Sequence, residues 1–134
     1  TARTCGLKVC AGGIFGMGET LEDRIDMAFA LRELDADVVP LNFLCAIEGT
    51  PLAGQAPLPP VQILSIIALY RFILPRKELK VCGGRETNLR DLQGMIFFAG
   101  ADSMMIGNYL TTAGREPELD WQLMRDLNLQ WMGE

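Results

Sequence analysis

Residues 8–20 read KVCAGGIFGMGET, and residues 80–86 read KVCGGRE. Each stretch begins with a short apolar run, continues into a pair of glycines and leads into a segment suited to a helix. Glycine has no Cβ atom, so a ligand can approach the backbone of such a turn closely. Both stretches are therefore predicted to be strand–turn–helix units, and they set the framework for the rest of the chain.

Strand and helix patterns alternate along the whole chain. Apolar strands are predicted at residues 7–11, 38–45, 79–82 and 103–106, and helices at residues 21–34, 61–74, 89–99 and 117–127. This order predicts parallel strands joined by right-handed crossovers, which is the α/β class. The 134 residues suit one domain, 1–134. Four such units form half of a (β/α)8 TIM-type barrel; an open doubly wound sheet is the alternative, which the length slightly favours for a stand-alone domain.

Three features predict the ends and faces of the helices. Thr20 is expected to cap the first helix in a capping box with Asp23, a weak one because Asp is a poorer partner than Glu or Gln. Helix 61–74 is apolar on nearly every face and is expected to be covered on both sides. Gly100 is expected to end helix 89–99. The inward stripe of the first helix is predicted to hold Leu21, Ile25, Ala28, Leu31 and Leu34.

The composition excludes several classes of function. The formal net charge is −5 and no basic run is present, so nucleic acid is not expected as a partner. The chain has no histidine, which excludes Ser–His and Cys–His nucleophilic catalysis within it. The longest apolar run is too short to cross a bilayer, which needs roughly 20 residues, so no membrane partner is expected. Nothing suggests export, and the cysteines are expected to be reduced thiols of a cytoplasmic protein.

Residues that could carry chemistry collect at the predicted carboxyl ends of the strands, where α/β folds bind ligands. A thiolate there is a soft ligand suited to iron–sulfur clusters, although a cysteine on a parallel strand is more often a small buried hydrophobe. The first glycine turn is not a dinucleotide fingerprint, but residues 13–18 could form a nest for a phosphate or carboxylate. The collected residues are Cys10, Gly12, Gly13, Asn42, Cys45, Cys82 and Arg85.

Several separate motifs resemble the biotin synthase family of radical S-adenosylmethionine enzymes. They occur in the family's order and extend from about Gly6 to about Leu129, and the resemblance is to the C-terminal half of the family only. The motifs are Cys10-Ala11-Gly12-Gly13-Ile14, Gly16-Met17-Gly18-Glu19-Thr20, Pro40-Leu41-Asn42-Phe43-Leu44, Glu48-Gly49-Thr50-Pro51-Leu52-Ala53, Gly84-Arg85-Glu86, Phe98-Ala99-Gly100-Ala101-Asp102-Ser103 and Leu110-Thr111-Thr112.

The resemblance implies a (β/α)8 barrel with two iron–sulfur clusters. A 4Fe–4S cluster, supplied with electrons by a donor protein, cleaves S-adenosylmethionine, and the 5′-deoxyadenosyl radical removes hydrogen from dethiobiotin. A 2Fe–2S cluster supplies the sulfur. By position, Cys10 resembles a cysteine ligand of the 2Fe–2S cluster and Arg85 resembles its arginine ligand.

The resemblance also implies roles around the substrate and S-adenosylmethionine. Asn42 resembles a residue that hydrogen-bonds the substrate. Ile14 and Cys45 resemble positions beside the adenine and ribose, and Gly12 and Gly13 would let the cofactor approach the backbone.

The chain departs from the family in lacking the C-x-x-x-C-x-x-C spacing that holds the 4Fe–4S cluster. The other cysteine ligands of the 2Fe–2S cluster would also lie upstream, and Cys5 and Cys82, which match no ligand, are expected to be buried structural thiols. Since the chain begins at Thr1, we expect a fragment of such an enzyme that is inactive alone. The alternative is a non-enzymatic α/β module that binds a small anion or a partner subunit. A half-barrel has two open strand edges and an inner face expected to be apolar, which predicts a homodimer or else aggregation.

Overall fold

A four-stranded parallel sheet organises the chain, as predicted. The computed structural model describes residues 3–110 and 112–130, and its strands follow one another in the order β1-β2-β3-β4. Within the described residues, no helix is long and apolar enough to cross a membrane. Short 3-10 turns lie at Arg3–Cys5 and Arg90–Leu92. The strands and α-helices are β1 (Gly13–Phe15), α1 (Leu21–Glu33), β2 (Val38–Phe43), α2 (Pro60–Ile73), β3 (Glu78–Val81), α3 (Arg85–Leu89), α4 (Met95–Ala99), β4 (Ser103–Met104) and α5 (Pro117–Asp126).

The ladder between β1 and β2 is interrupted. The chain ahead of β1 pairs with β2 at one isolated bridge, from Cys10 to Val38, and regular pairing begins at Gly13. Pro40 stands between these two points, and a proline has no N–H to donate to the neighbouring strand. Gly12 lies against it so closely that a Cβ atom would be 2.0 Å from the Pro40 carbonyl oxygen. The regular strand β1 therefore begins beyond the end of the first predicted strand.

Helix α1 turns a different face inward from the one predicted. Ala28 and Leu31 are buried as expected, but Leu21 is 63% exposed and Leu34 is 53% exposed. Arg24 is buried on this face instead. An arginine can be buried only with a partner for its charge, and an acidic residue of the preceding turn supplies one, as described below.

Helix α2 buries one face only. Ile63 and Tyr70 belong to the core, and the Tyr70 ring meets the Phe15 ring of β1 edge-on, with centroids 5.4 Å apart. The opposite face is open, since Val61 is 67% exposed and Phe72 is 86% exposed. The prediction that this helix is covered on both sides is wrong, because the described residues place helices on one side of the sheet and no further layer outside α2.

The predicted helix at residues 89–99 is broken into α3, a 3-10 turn and α4. Arg90 ends α3 with a positive φ of 52° and a ψ of −122°. Gly94 then lies close to α5, where a Cβ atom would be 3.2 Å from a methyl carbon of Leu123. Gly100 ends α4 with a φ of 113°, as predicted.

The two faces of the sheet differ in chemistry. The strand residues that face the helices are buried and apolar, as Leu41 and Val81 illustrate. The alternate residues point to the opposite face, which is the inner face of a barrel, and there Lys80 stands beside Ser103 in register. The Ser103 hydroxyl donates a hydrogen bond to the carboxylate of Glu78. The prediction of an apolar inner face is therefore wrong, because charged and hydroxyl side chains of β3 and β4 occupy part of it.

Candidate functional site

A cavity of about 840 Å³ lies at the carboxyl ends of the strands. Folds built from parallel strands bind their ligands at this end. Three predicted site residues line the cavity: Ile14 in β1, Asn42 in β2 and Cys45 just after β2. Glu86 of α3 and Tyr109, from the connection between β4 and α5, form another part of its wall. The lining combines apolar and hydrogen-bonding groups, as a site for an organic ligand requires.

The Asn42 side chain joins the two glycine turns. Its Nδ2 donates a hydrogen bond to the Gly13 carbonyl oxygen at 3.2 Å, and its Oδ1 accepts one from the Gly83 N–H at 3.0 Å. These two bonds hold the amide in one orientation and leave one Nδ2 hydrogen and one oxygen lone pair for a ligand. The residue predicted to bind substrate is thus held in place at the surface of the cavity.

The paired glycines of the first turn allow close packing against strand β2 and helix α1. As described above, Gly12 allows β2 to approach at Pro40. At Gly13 a Cβ atom would lie 2.5 Å from the terminal methyl carbon of Met27 on α1. Neither observation involves a ligand, so the predicted contact of Gly12 and Gly13 with a cofactor stays a prediction.

The end of the first glycine turn holds a carboxylate from the chain itself. Glu19 accepts hydrogen bonds from the N–H groups of Gly16 and Met17, each at 2.8 Å, and it pairs with the Arg24 guanidinium at 2.7 Å. Burial alone would raise the pKa of Glu19, but these hydrogen bonds together outweigh it and lower the pKa. The predicted nest for a small anion therefore exists, and Glu19 occupies it.

Helix α1 begins at this turn with the predicted capping box. The Thr20 hydroxyl accepts a hydrogen bond from the Asp23 N–H at 3.1 Å, and the Asp23 carboxylate accepts one from the Thr20 N–H at 2.7 Å. Both halves of the box are formed, so an aspartate is long enough here to reach back to the cap.

The second glycine turn brings α3 tightly against β2. Gly84 has a φ of 79°, and a Cβ atom there would lie 2.0 Å from the Phe43 carbonyl oxygen. Arg85 follows and is 0% exposed. Its guanidinium donates to both carboxylate oxygens of Asp120 in α5, Nη2 at 2.6 Å and Nη1 at 3.0 Å, and also to Glu86 at 3.1 Å. This bidentate, buried ion pair fastens α5 to α3.

These contacts give Arg85 a structural role. Only its Nε lacks a hydrogen-bond partner within the described part of the chain. Its carboxylate partner Asp120 is itself 1% exposed and also pairs with Arg115 at 3.4 Å. The idea that Arg85 is a cluster ligand stays a prediction, and nothing in these contacts supports it.

The four cysteines lie in different environments. Cys10 is exposed and pairs with Val38, the first residue of β2, so it lies toward the amino ends of the strands and below the cavity. Cys45 is exposed at the cavity, and its sulfur accepts a hydrogen bond from Asn88 at 3.7 Å. Cys82 is buried as expected, and burial raises the pKa of its thiol. Cys5 is exposed, so the expectation that it is buried is wrong.

Sequence reasoning missed three residues around the site. Tyr109 donates its hydroxyl hydrogen to the Glu86 carboxylate, Asp120 holds Arg85, and Lys80 is on the inner face of the sheet. The alternation of faces along β3 is a signal that could have found Lys80. Residues two apart in a strand lie on the same face, and Lys80 is two residues before Cys82, which the sequence had placed near the site. The pairing of Asp120 with Arg85 leaves no local signal, since 35 residues separate the two.

A complete metal site is absent from the described residues. Across 3–110 and 112–130, no three His, Cys, Asp or Glu side chains lie close enough together to hold a metal ion. A cluster bound at Cys10 would therefore need further ligands from outside this set.

Comparisons with known proteins agree with the fold and the motifs. The family model of the Biotin and Thiamin Synthesis associated domain matches residues 40–130. The curated biotin synthase of Geobacter sulfurreducens is 63% identical over 128 residues, and that of Heliobacterium modesticaldum is 57% identical over 128 residues. Each alignment covers 96% of this chain and 39% of the relative, so the chain spans about two fifths of the length of these relatives.

A solved structure shares the fold. The crystal structure of methylornithine synthase matches with a TM-score of 0.75 and 22% identity, over 96% of this chain and 42% of that protein. The likeness concerns the fold alone at this identity. It confirms the predicted class, in which four consecutive β-α units form part of a larger barrel.

Proposed function

Because this chain belongs to the Biotin and Thiamin Synthesis associated domain family, we propose that it is the C-terminal half-barrel of a biotin synthase. Such an enzyme inserts sulfur into dethiobiotin by radical S-adenosylmethionine chemistry. The observation that carries the proposal is the 63% identity to a curated biotin synthase over 96% of this chain. The half-barrel contributes one side of the site, and the chain alone is expected to be inactive.

Cys10 is proposed as a ligand of the 2Fe–2S cluster. Its thiol is exposed at the ladder between β1 and β2, and thiolate sulfur is the usual ligand of such clusters. The cluster supplies sulfur to the product when bound. Cys10 would hold it from below the cavity, with the remaining ligands coming from the part of the barrel that this chain does not contain.

The cavity residues are proposed to bind the organic ligands. Asn42 has one N–H and one lone pair to offer dethiobiotin, and its fixed orientation lowers the entropy cost of that contact. Ile14 and Cys45 line the same cavity and are proposed to flank S-adenosylmethionine. Backbone contacts at Gly12 and Gly13 complete this proposed set.

A homodimer, an electron-donor protein and a cytoplasmic location are proposed with this function. Their support is the inferred enzyme class, together with the open edges of β1 and β4 in the described sheet. The alternative of a module that binds a small anion would need another anion site, because Glu19 occupies the nest at Gly16 and Met17.

A chimera tests the proposal. The region of the Geobacter sulfurreducens biotin synthase that aligns with this chain is replaced by this chain, and the protein is reconstituted with iron and sulfide under reducing conditions. We expect biotin from dethiobiotin and S-adenosylmethionine, with the unaltered relative as control. The isolated chain, treated in the same way, should produce no 5′-deoxyadenosine above a sample without protein.

The Cys10→Ala variant of the chimera addresses the cluster. We expect it to lose 2Fe–2S absorbance and biotin formation while it still cleaves S-adenosylmethionine. A folded chimera that forms no biotin would contradict the proposed function. Full 2Fe–2S content with a normal yield in the variant would contradict only the role of Cys10.

A further inference from the structure

One wall of the cavity is linked to the last helix by a chain of hydrogen bonds. The Tyr109 hydroxyl donates to the Glu86 carboxylate, with its two oxygens at 2.8 and 3.0 Å. Glu86 in turn accepts from Arg85, which is paired with Asp120 of α5. We infer that Tyr109 and Glu86 are positioning residues, whose hydrogen bond fixes the β4–α5 connection as a wall of the cavity and thereby sets the affinity for the ligand bound there. This inference rests on the proposed function for the identity of the ligand.

The local contacts of the connection make Tyr109 its anchor to α3. The Tyr109 N–H bonds to the Thr112 carbonyl oxygen at 3.0 Å, and the Gly114 N–H bonds to the Asn108 side chain at 3.2 Å, so the connection folds back on itself. The neighbouring Leu110 is fully exposed and buries no apolar surface against the sheet. The Tyr109 hydroxyl, by contrast, reaches Glu86 across the cavity wall.

The same contacts argue against a direct chemical role for either residue. Tyr109 has a single hydroxyl hydrogen, and Glu86 at 2.8 Å is its closest acceptor, with the Cys82 carbonyl oxygen at 3.4 Å. Burial and the neighbouring Glu86 carboxylate raise the pKa of Tyr109, so its hydroxyl stays protonated and cannot act as a base near neutral pH. Glu86 already accepts from both Tyr109 and Arg85. Removing the hydroxyl should therefore alter the placement of the wall and leave the reacting groups unchanged.

Tyr109→Phe tests the inference in the chimera described above. We expect faster deuterium uptake in the peptide that covers the β4–α5 connection. We also expect the KM for dethiobiotin to rise roughly three- to tenfold, as the loss of one hydrogen bond to a charged group allows. The kcat should change less than about twofold, because the bound substrate and the transition state would lose the same binding energy. Glu86→Gln keeps one carbonyl acceptor for the hydroxyl and should give a smaller change in both measurements.

Tyr70→Phe is the matched control, because it removes the hydroxyl of the other tyrosine in the chain. That hydroxyl donates to the Arg24 carbonyl oxygen between α1 and α2, away from the cavity. Deuterium uptake in the connection and the KM should stay unchanged in this control.

The outcomes separate the inference from the proposed function. Unchanged uptake in Tyr109→Phe overturns the inference whether or not the chimera makes biotin, and a collapse of kcat at constant KM overturns it in favour of a catalytic role. A parent chimera that makes no biotin contradicts the proposed function. Deuterium uptake still tests, in that case, whether the Tyr109–Glu86 hydrogen bond holds the β4–α5 connection in place.

Discussion

Each of the two glycine turns leads into a helix that holds a buried arginine paired with a carboxylate, but the two partners lie at different distances along the chain. In the first turn Glu19 pairs with Arg24, five residues later, and the turn and helix α1 form a local unit. In the second turn Arg85 pairs with Asp120, 35 residues later, and the pair joins the turn to the final helix. The first arrangement stabilises a turn, whereas the second holds the distant helix α5 against α3.

The comparison predicts that the second ion pair matters most for stability. Arg85→Met leaves Asp120, which is 1% exposed, without its bidentate partner. We expect a loss of about 3–5 kcal/mol in the free energy of unfolding, the usual cost of breaking one side of a buried pair. Urea unfolding of the chimera measures it. Arg90→Met, at an exposed arginine, is the control and should cost little; equal losses in both variants would refute the distinction.

The first ion pair is expected to matter less because its parts lie close in sequence and nearer to solvent. Glu19→Gln removes the charge that faces Gly16, Met17 and Arg24. We expect a loss of about 1–2 kcal/mol, since the amide oxygen still accepts part of this set. Glu22→Gln, in the exposed first turn of α1, serves as the control, and a loss for Glu19→Gln as large as that for Arg85→Met would remove the contrast between the turns.

Acid should weaken the first turn through Glu19. The pKa of Glu19 in the folded chain lies below its usual value of 4.5, so folding favours the ionised form. The resulting stabilisation is fully present above about pH 4.5 and is lost as the pH falls through the lowered pKa. The difference in urea midpoint between the parent and Glu19→Gln should therefore shrink as the pH is lowered from 6 to about 3. A difference that stays constant over this range would show that the charge of Glu19 is not involved.

The smallest effect is expected at the cap of α1. Thr20→Ala removes the oxygen that accepts from the Asp23 N–H and should cost about 1 kcal/mol in the free energy of unfolding. Thr20→Ser retains the hydroxyl and should restore most of the loss, as measured by urea unfolding. Without that recovery the cap bond is not the source of the effect.

The same contrast explains what could be predicted from the sequence. The capping box, the four-unit order and the end of α4 at Gly100 depend on neighbours within a few residues, and they were predicted. The burial of Arg24 was not predicted, because its ion pair with Glu19 outweighs the apolar period of α1. The break after α3 was not predicted either; there Arg90 has a φ of 52° and Gly94 packs against Leu123 of α5. Asn42 and Cys45 were grouped by their positions at or beyond strand ends, and Ile14 was added by the family resemblance; all three line the cavity.

The rest of the site depends on distant contacts. Nothing near Tyr109 or Asp120 in the sequence indicates their partners in α3. Likewise, the displacement of β1 arises from the missing N–H of Pro40, which lies on the neighbouring strand β2.

The 35-residue separation of Arg85 and Asp120 has a consequence during synthesis. Ribosomes add about 5–20 residues per second, so Arg85 precedes its partner by roughly 2–7 s. During that interval its guanidinium has no buried carboxylate to meet and must remain in water. The first turn carries its own counter-charge and can close as soon as Arg24 emerges. The nascent chain is therefore expected to acquire its structure from the amino end, with the wall around Tyr109 assembled last.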